Sequence, residues 1–222
     1  MTATLRVLSA LLTYPTEDLK AAAPEMREAL DREALVSAED RARIAPLIAE
    51  MAAGDLYELQ ERYVELFDRS RHLSLHLFEH VYGESRDRGR MMVELAERYR
   101  ACGLEIAVRE LPDFLPLYLE YLSQLPIERA RRELGEPIAV IASLARRLEK
   151  RGSPYAPVLA ALEGLAAAEP DPRDLGELER EEEIDANDGA SIDRVWREDP
   201  VVFGPGPAPA ASRERSEQGG RP

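Results

Sequence analysis

Residues 37–67, SAEDRARIAPLIAEMAAGDLYELQERYVELF, set the fold class. Ser37 is a good helix N-cap, with Glu39 and Asp40 in the first turn after it, where acidic groups favour the helix dipole. Ile44, Leu47, Ile48 and Met51 then recur at i, i+3, i+4 and i+7, the signature of a helix with one apolar face, and Gly54 ends the run. Asp55 can cap a second helix, whose apolar face is Leu56, Leu59, Tyr63, Leu66 and Phe67.

The same pattern extends outward. Leu5, Leu8, Leu11 and Leu12 sit at helical spacing until Pro15 stops them. Glu17 to Leu35 is helical in character, with a break or restart expected at Pro24. Helix resumes near Met91 with Met92, Leu95, Tyr99 and Cys102, and ends at Gly103. After Pro112, which lies in a turn or at a helix start, Phe114, Leu115, Leu117, Tyr118, Tyr121 and Leu122 form an unusually apolar helix, expected to be central. Pro126 opens a helix running to about Arg151 with a kink at Pro137, and Pro154 and Pro157 introduce one more, ending near Ala168. Ala and Leu total 61 residues against 19 for Val and Ile, a ratio that favours helix over sheet. The expected fold is therefore all-α: a single-domain helical bundle over residues 1–168, an acidic arm over 169–203 and a disordered tail over 204–222.

The chain of 222 residues carries 29 Lys and Arg against 43 Asp and Glu, a formal net charge of −14. That balance argues against nucleic acid and anionic membrane surfaces as partners. The charge is unevenly placed: residues 163–199 hold 14 acidic and 4 basic residues, a net of −10. One cysteine, Cys102, allows neither an internal disulfide nor a cysteine metal cluster. With no cleavable leader and no apolar run near the ~18–20 residues of a membrane span, a soluble cytoplasmic protein without stable membrane insertion is expected.

Residues 68–90, DRSRHLSLHLFEHVYGESRDRGR, interrupt the helical pattern and hold all three histidines. His72, His76 and His80 are spaced i, i+4, i+8, which on one continuous helix would align them for metal ligation. The HExxH order is absent, however, and Ser70, Ser74 and Gly83 work against a continuous helix, so the expectation is no metal site and polar or half-buried histidines at a packing or binding surface. The turn Gly83–Gly89 could bind an anion or carboxylate through Arg86, Arg88 and Arg90, or could be a solvated loop in which Ser85 caps the next helix. Asp113 and Glu120 stand in very apolar surroundings, and both are expected to face solvent. Trp196, the only tryptophan, lies in SIDRVWREDPVVF within the acidic arm and is expected to dock, on this same domain or on a partner. No GxSxG nucleophile turn or Gly-rich phosphate loop occurs.

The segment Leu59–Arg90, LQERYVELFDRSRHLSLHLFEHVYGESRDRGR, resembles the signature of the NarJ subfamily of molybdoenzyme assembly chaperones. LLTYP (Leu11–Pro15), ELPDFLPLYLEYL (Glu110–Leu122) and the ending Trp196–Phe203 extend the likeness over roughly residues 5–203. The resemblance implies an all-α fold similar to the chaperones of trimethylamine-oxide and dimethyl-sulfoxide reductases, and no catalysis. It implies no resident cofactor, and as partner the apo catalytic (α) subunit of respiratory nitrate reductase, bound chiefly through its N-terminal segment. The client would be held competent for insertion of its molybdenum cofactor, with the cofactor-delivery machinery a further partner, and its membrane docking delayed. The chain departs from many members at Tyr82, where they carry a further histidine.

A client segment folding into an amphipathic helix would lay its apolar face into a groove between helices. The expected groove positions are Tyr63, Phe67, Leu75, Phe78, Tyr118 and Tyr121, with His72, His76, His80, Arg86 and Arg88 as the polar rim. The acidic arm could fold over this Arg- and His-containing strip and compete with the client. The rival readings are a metal-dependent hydrolase built on His72, His76 and His80, and an acidic helical regulator that binds a transcription factor.

Overall fold

The computed structural model describes residues 1–69, 71–82, 85–106 and 110–180. The expected Trp196 segment and the tail after it lie outside the described residues. Among those described the architecture is all-α, with one isolated antiparallel bridge between His76 and Phe114. No helix among them is long and apolar enough to cross a membrane.

Helix α1 (Ala3–Leu11) lies between α7 (Leu115–Gln124) and α2 (Glu17–Glu33), and α2 pairs with α3 (Ala38–Ala53). Leu8 and Leu11 of α1 are fully buried, as are Leu119 and Leu122 of α7, so this strongly apolar helix is central as its composition implied. The second half is built on α9 (Ile138–Lys150) and α10 (Ala156–Leu165), which pack on each other, while α10 also packs on α3. α4 (Leu56–Tyr63) continues into a π-helical turn, Val64–Asp68. A 3₁₀ turn (Arg71–Leu73), α5 (Leu77–Tyr82), α6 (Arg86–Ala101) and α8 (Ile127–Leu134) complete the body.

Ser37 and Asp55 cap as their sequence positions suggest, whereas Ser85, at the N-cap of α6, makes no side-chain cap hydrogen bond. Ser37 Oγ accepts from Asp40 N at 3.0 Å, and Asp55 Oδ1 accepts from Tyr57 N and Glu58 N at 2.9 and 3.2 Å. α1 is capped by a remote group instead. Glu33, at the end of α2, accepts from Ala3 N, Thr4 N and Thr4 Oγ1, each at 2.8 Å. Burial opposes ionisation of Glu33, but the Thr4 and Ala3 N–H groups outweigh it and hold its carboxyl below its usual range.

Three local expectations change. α2 runs unbroken through Pro24, because its buried face of Ala23, Met26, Ala29 and Leu30 offsets the one backbone bond that proline removes. The single helix expected from Pro126 to Arg151 is two, α8 and α9, divided at Gly135–Pro137. A Cβ on Gly135 would stand 3.0 Å from Ala168 Cβ and 3.1 Å from Arg132 O, so glycine lets the chain after α10 pass close, where Ala167 N donates to Arg131 O at 2.9 Å. Past residue 168 the acidic arm begins as helix: α11 (Pro172–Arg180) lies on α9 with Leu175 and Leu178 buried. The Arg147 guanidinium of α9 donates to the Leu178 carbonyl and, at 2.7 Å, to the His72 carbonyl.

Glu33→Gln should lower unfolding free energy by about 1 kcal/mol at neutral pH, since it removes charge at the α1 N-terminus. A carboxyl held below its usual value stabilises the fold above that value, near 4.5, and loses the contribution as pH falls. The difference between wild type and variant in urea titrations should therefore shrink below pH about 4.5.

Candidate functional site: a buried aspartate between two clefts

The short connection of residues 74–76, between the 3₁₀ turn and α5, crosses the start of α7. Leu77 N donates to Asp113 O at 3.0 Å, and Leu115 N donates to Leu75 O at 2.8 Å. These two bonds account for the lone bridge. The Asp113 side chain, with no exposed surface, locks the crossing. Its Oδ2 accepts from Phe78 N at 3.0 Å, and its Oδ1 lies 3.1 Å from His76 Nδ1. The His76 ring also stacks on Phe114, centroids 5.3 Å apart. The hydrogen bond to the Asp113 carboxylate raises the pKa of His76 above its usual 6.5 against the opposing effect of burial, and the Asp113 charge adds to the rise. Asp113 therefore does not face solvent as its sequence position suggested. A carboxylate can be buried here because a backbone N–H and an imidazole replace its water. Glu120 is exposed, as expected.

This crossing presents neighbouring residues to two different clefts. Leu75 and His76 line one of about 400 Å³, whose apolar walls also include Tyr14, Tyr63, Phe67, Phe114 and Leu117. Asp68, Glu110 and Glu120 give this cleft an acidic rim. Burial pushes the Asp68 carboxyl up, and nearby His76 partly opposes that shift. The aromatic wall is continuous: Tyr14 meets Tyr63 edge-on at 5.6 Å, Tyr63 meets Phe67 at 5.0 Å, and Tyr63 Oη donates to Leu12 O at 3.0 Å. Leu77 and Phe78 line the second cleft, of about 170 Å³, with Val81, Tyr82, Met91, Leu95 and Tyr118. An ion pair between Arg98 and Glu136, 2.9 Å apart, stands at its edge beside Glu94.

The structure thus divides the expected groove. Tyr63, Phe67, Leu75 and His76 line the acid-rimmed cleft, whereas Phe78 and Tyr118 line the second. Tyr118 Oη is occupied by a 2.7 Å bond to Glu133 O. Tyr121 is almost fully buried, donates to Glu133 Oε2 at 2.6 Å, and lines neither of these two clefts. The histidines do not share a helix face: His72 lies in the 3₁₀ turn, His76 in the crossing, and His80 in α5 with Nε2 2.8 Å from Ser74 O. The pairing of this chain with α7 breaks the helix that the spacing assumed. Among the described residues, no group of three or more His, Cys, Asp or Glu could hold a metal ion. Arg86 is exposed on α6, and Arg88 is paired with Glu79 at 3.1 Å. Neither arginine lines the acid-rimmed cleft, so its rim is acidic where His and Arg were expected. Of its further residues, Tyr14 and Glu110 sit in the LLTYP and ELPDF segments, but only the fold brings those together.

These elements coincide with a known family. The profile described as "Nitrate reductase delta subunit" matches residues 15–161, a span that includes the Asp113 crossing. The chain belongs to this family. It is 41 % identical over 199 residues to the "Nitrate reductase molybdenum cofactor assembly chaperone NarJ" of Escherichia coli strain K12, covering 90 % of this chain and 84 % of that protein. It is 39 % identical over 203 residues to the "Probable nitrate reductase molybdenum cofactor assembly chaperone NarW" of the same organism, covering 90 % and 83 %. The probable NarJ chaperone of Bacillus subtilis strain 168 shares 32 % over 170 residues, covering 75 % of this chain and 91 % of that one. These three relatives are named as assembly chaperones, and Asp113, whose partners are a backbone N–H and an imidazole of the fold itself, is read as a positioning group.

Asp113→Asn should cost about 2–4 kcal/mol of unfolding free energy, as one partner of a buried charged pair is removed. A His76 value raised in the folded state gives stability that is complete below pH about 6.5 and is lost as pH rises through the raised value. Denaturation between pH 5.5 and about 9 should show that decline in wild type and a flatter profile in Asp113→Asn.

Proposed function

We propose that this chain is a dedicated assembly chaperone of respiratory nitrate reductase. In this reading it binds the apo catalytic subunit through that subunit's N-terminal segment and keeps it competent for molybdenum cofactor insertion before membrane docking. The cofactor is cargo destined for the client, and the chain acts in the cytoplasm. The chaperone role rests on two relatives named for it, each matched over 90 % of this chain. The location of the site rests on one observation: an open cleft with an aromatic and aliphatic wall and three carboxylates on its rim.

That chemistry suits an amphipathic helix that buries apolar side chains against Tyr63, Phe67 and Phe114 and presents Lys or Arg to Asp68, Glu110 and Glu120. Only one of the three histidines, His76, lines this cleft, so any pH dependence of affinity between about 5 and 8 rests on it. The rival metal-dependent hydrolase loses the single helix face on which it depended.

Calorimetric titration with a peptide of the client's N-terminal segment tests the assignment. Leu117→Asp, at a half-buried position in the cleft, should weaken affinity about tenfold or more, equivalent to about 1.4 kcal/mol. Val93→Asp, at a 58 % exposed site on α6 that lines neither cleft, should leave it unchanged. Equal affinities for wild type and Leu117→Asp would remove the client from this cleft. Glu110→Gln should weaken binding in low salt and matter less at high salt, because exposed charges are screened.

A further inference from the structure

The second cleft is an apolar slot left open at the surface. Phe78, Tyr82, Met91 and Leu95 line it, and Val81 at its mouth is 58 % exposed. We propose that the Val195–Trp196 segment of this same chain docks there, placing the acidic arm behind the client's cleft rather than in it.

Reach is the first support. The Leu178 carbonyl is held by Arg147 of α9, and Pro137, at the head of the same helix, lines the second cleft. Ten helical residues between them span about 15 Å. Trp196 follows Leu178 by 18 residues, and at about 1.5 Å per residue in a helix or up to about 3.3 Å per residue extended, a chain of that length covers the distance in either form. Tethering at that range gives an effective concentration on the order of millimolar, enough to occupy a site too weak to bind a free peptide.

Charge is the second. Residues 181–199 hold eight acidic and two basic residues. The acid-rimmed cleft, with Asp68, Glu110 and Glu120, repels such a segment. At the second cleft Arg98 pairs with Glu136, leaving Glu94 as the one carboxylate not balanced there, and α6 also carries exposed Arg86 and Arg90, the latter 3.7 Å from Asp87. The two clefts are thereby sorted by charge, a basic amphipathic client to one and the chain's own acidic segment to the other. The third support is chemical fit. A tryptophan beside a valine is a large apolar payload in a strongly acidic stretch, and an aromatic- and methionine-lined slot with carboxylates at its edge suits an indole's apolar body and its N–H donor.

Trp196 is the only tryptophan, so its fluorescence in the full chain reads the proposal directly. The expected result is blue-shifted emission and acrylamide quenching several-fold weaker than in the same chain unfolded in guanidinium, independent of protein concentration. Val81→Asp should restore quenching to the unfolded level while circular dichroism stays helical; Tyr82→Ser serves if that variant does not fold. Quenching as strong in the native chain as in the unfolded one would overturn docking. Protection unaffected by Val81→Asp but lost in Tyr14→Asp would overturn the choice of cleft, and protection that grows with concentration would place Trp196 on a second copy.

Discussion

One fully buried carboxylate fixes the relation between two distant parts of the chain. Asp113 stands at the head of α7 and holds the backbone of Phe78 and the ring of His76, 35 and 37 residues earlier in sequence. An isolated ionised carboxylate is too costly to bury, so the arrangement exists only while those partners stay in place. The constraint runs both ways: the donors satisfy Asp113, and Asp113 makes an irregular stretch of chain behave as a rigid wall. Both clefts use that wall, one on each side, so their shapes are tied to a single interaction.

The helical layout was largely legible because its signals are local. Ser37 and Asp55 cap, the Ile44–Met51 stripe buries, and the Phe114–Leu122 run is central, each within one or two turns of helix. The errors share a cause as well. Pro24 does not break α2 because packing on α1 and α3 outweighs one lost bond. The acidic stretch past residue 168 suggested an arm, yet Leu175 and Leu178, three residues apart, are the signal that its first part docks on α9. Charge density masked a short apolar stripe.

Part of the candidate cleft's wall was legible in the sequence, and its rim was not. Tyr63, Phe67, Leu75 and His76 do converge, because the aromatic wall runs along the face of α4 and its π turn. An extra residue in a π turn shifts the register of the residues after it, and such turns recur at functional sites. Which groups rim that wall depends on what α7 and the loop before it bring across, and no spacing within residues 59–90 encodes that. Glu110, Phe114, Leu117 and Glu120 arrive through the Asp113 crossing, so the rim is acidic although the signature segment itself is rich in His and Arg.

The same geometry gives the net charge a physical role. Had the chain's −14 been spread evenly, every apolar cleft would have met a similar field. Instead, three carboxylates surround one cleft while the other has two, one of them paired with Arg98, so two apolar openings a few residues apart present different electrostatic faces. A chaperone must offer apolar surface to an unfinished client without offering it to apolar stretches of its own chain. Apolar area alone cannot make that distinction, since the hydrophobic effect is non-directional. Charge at the rim can, because a like charge brought against it is disfavoured before any apolar contact forms.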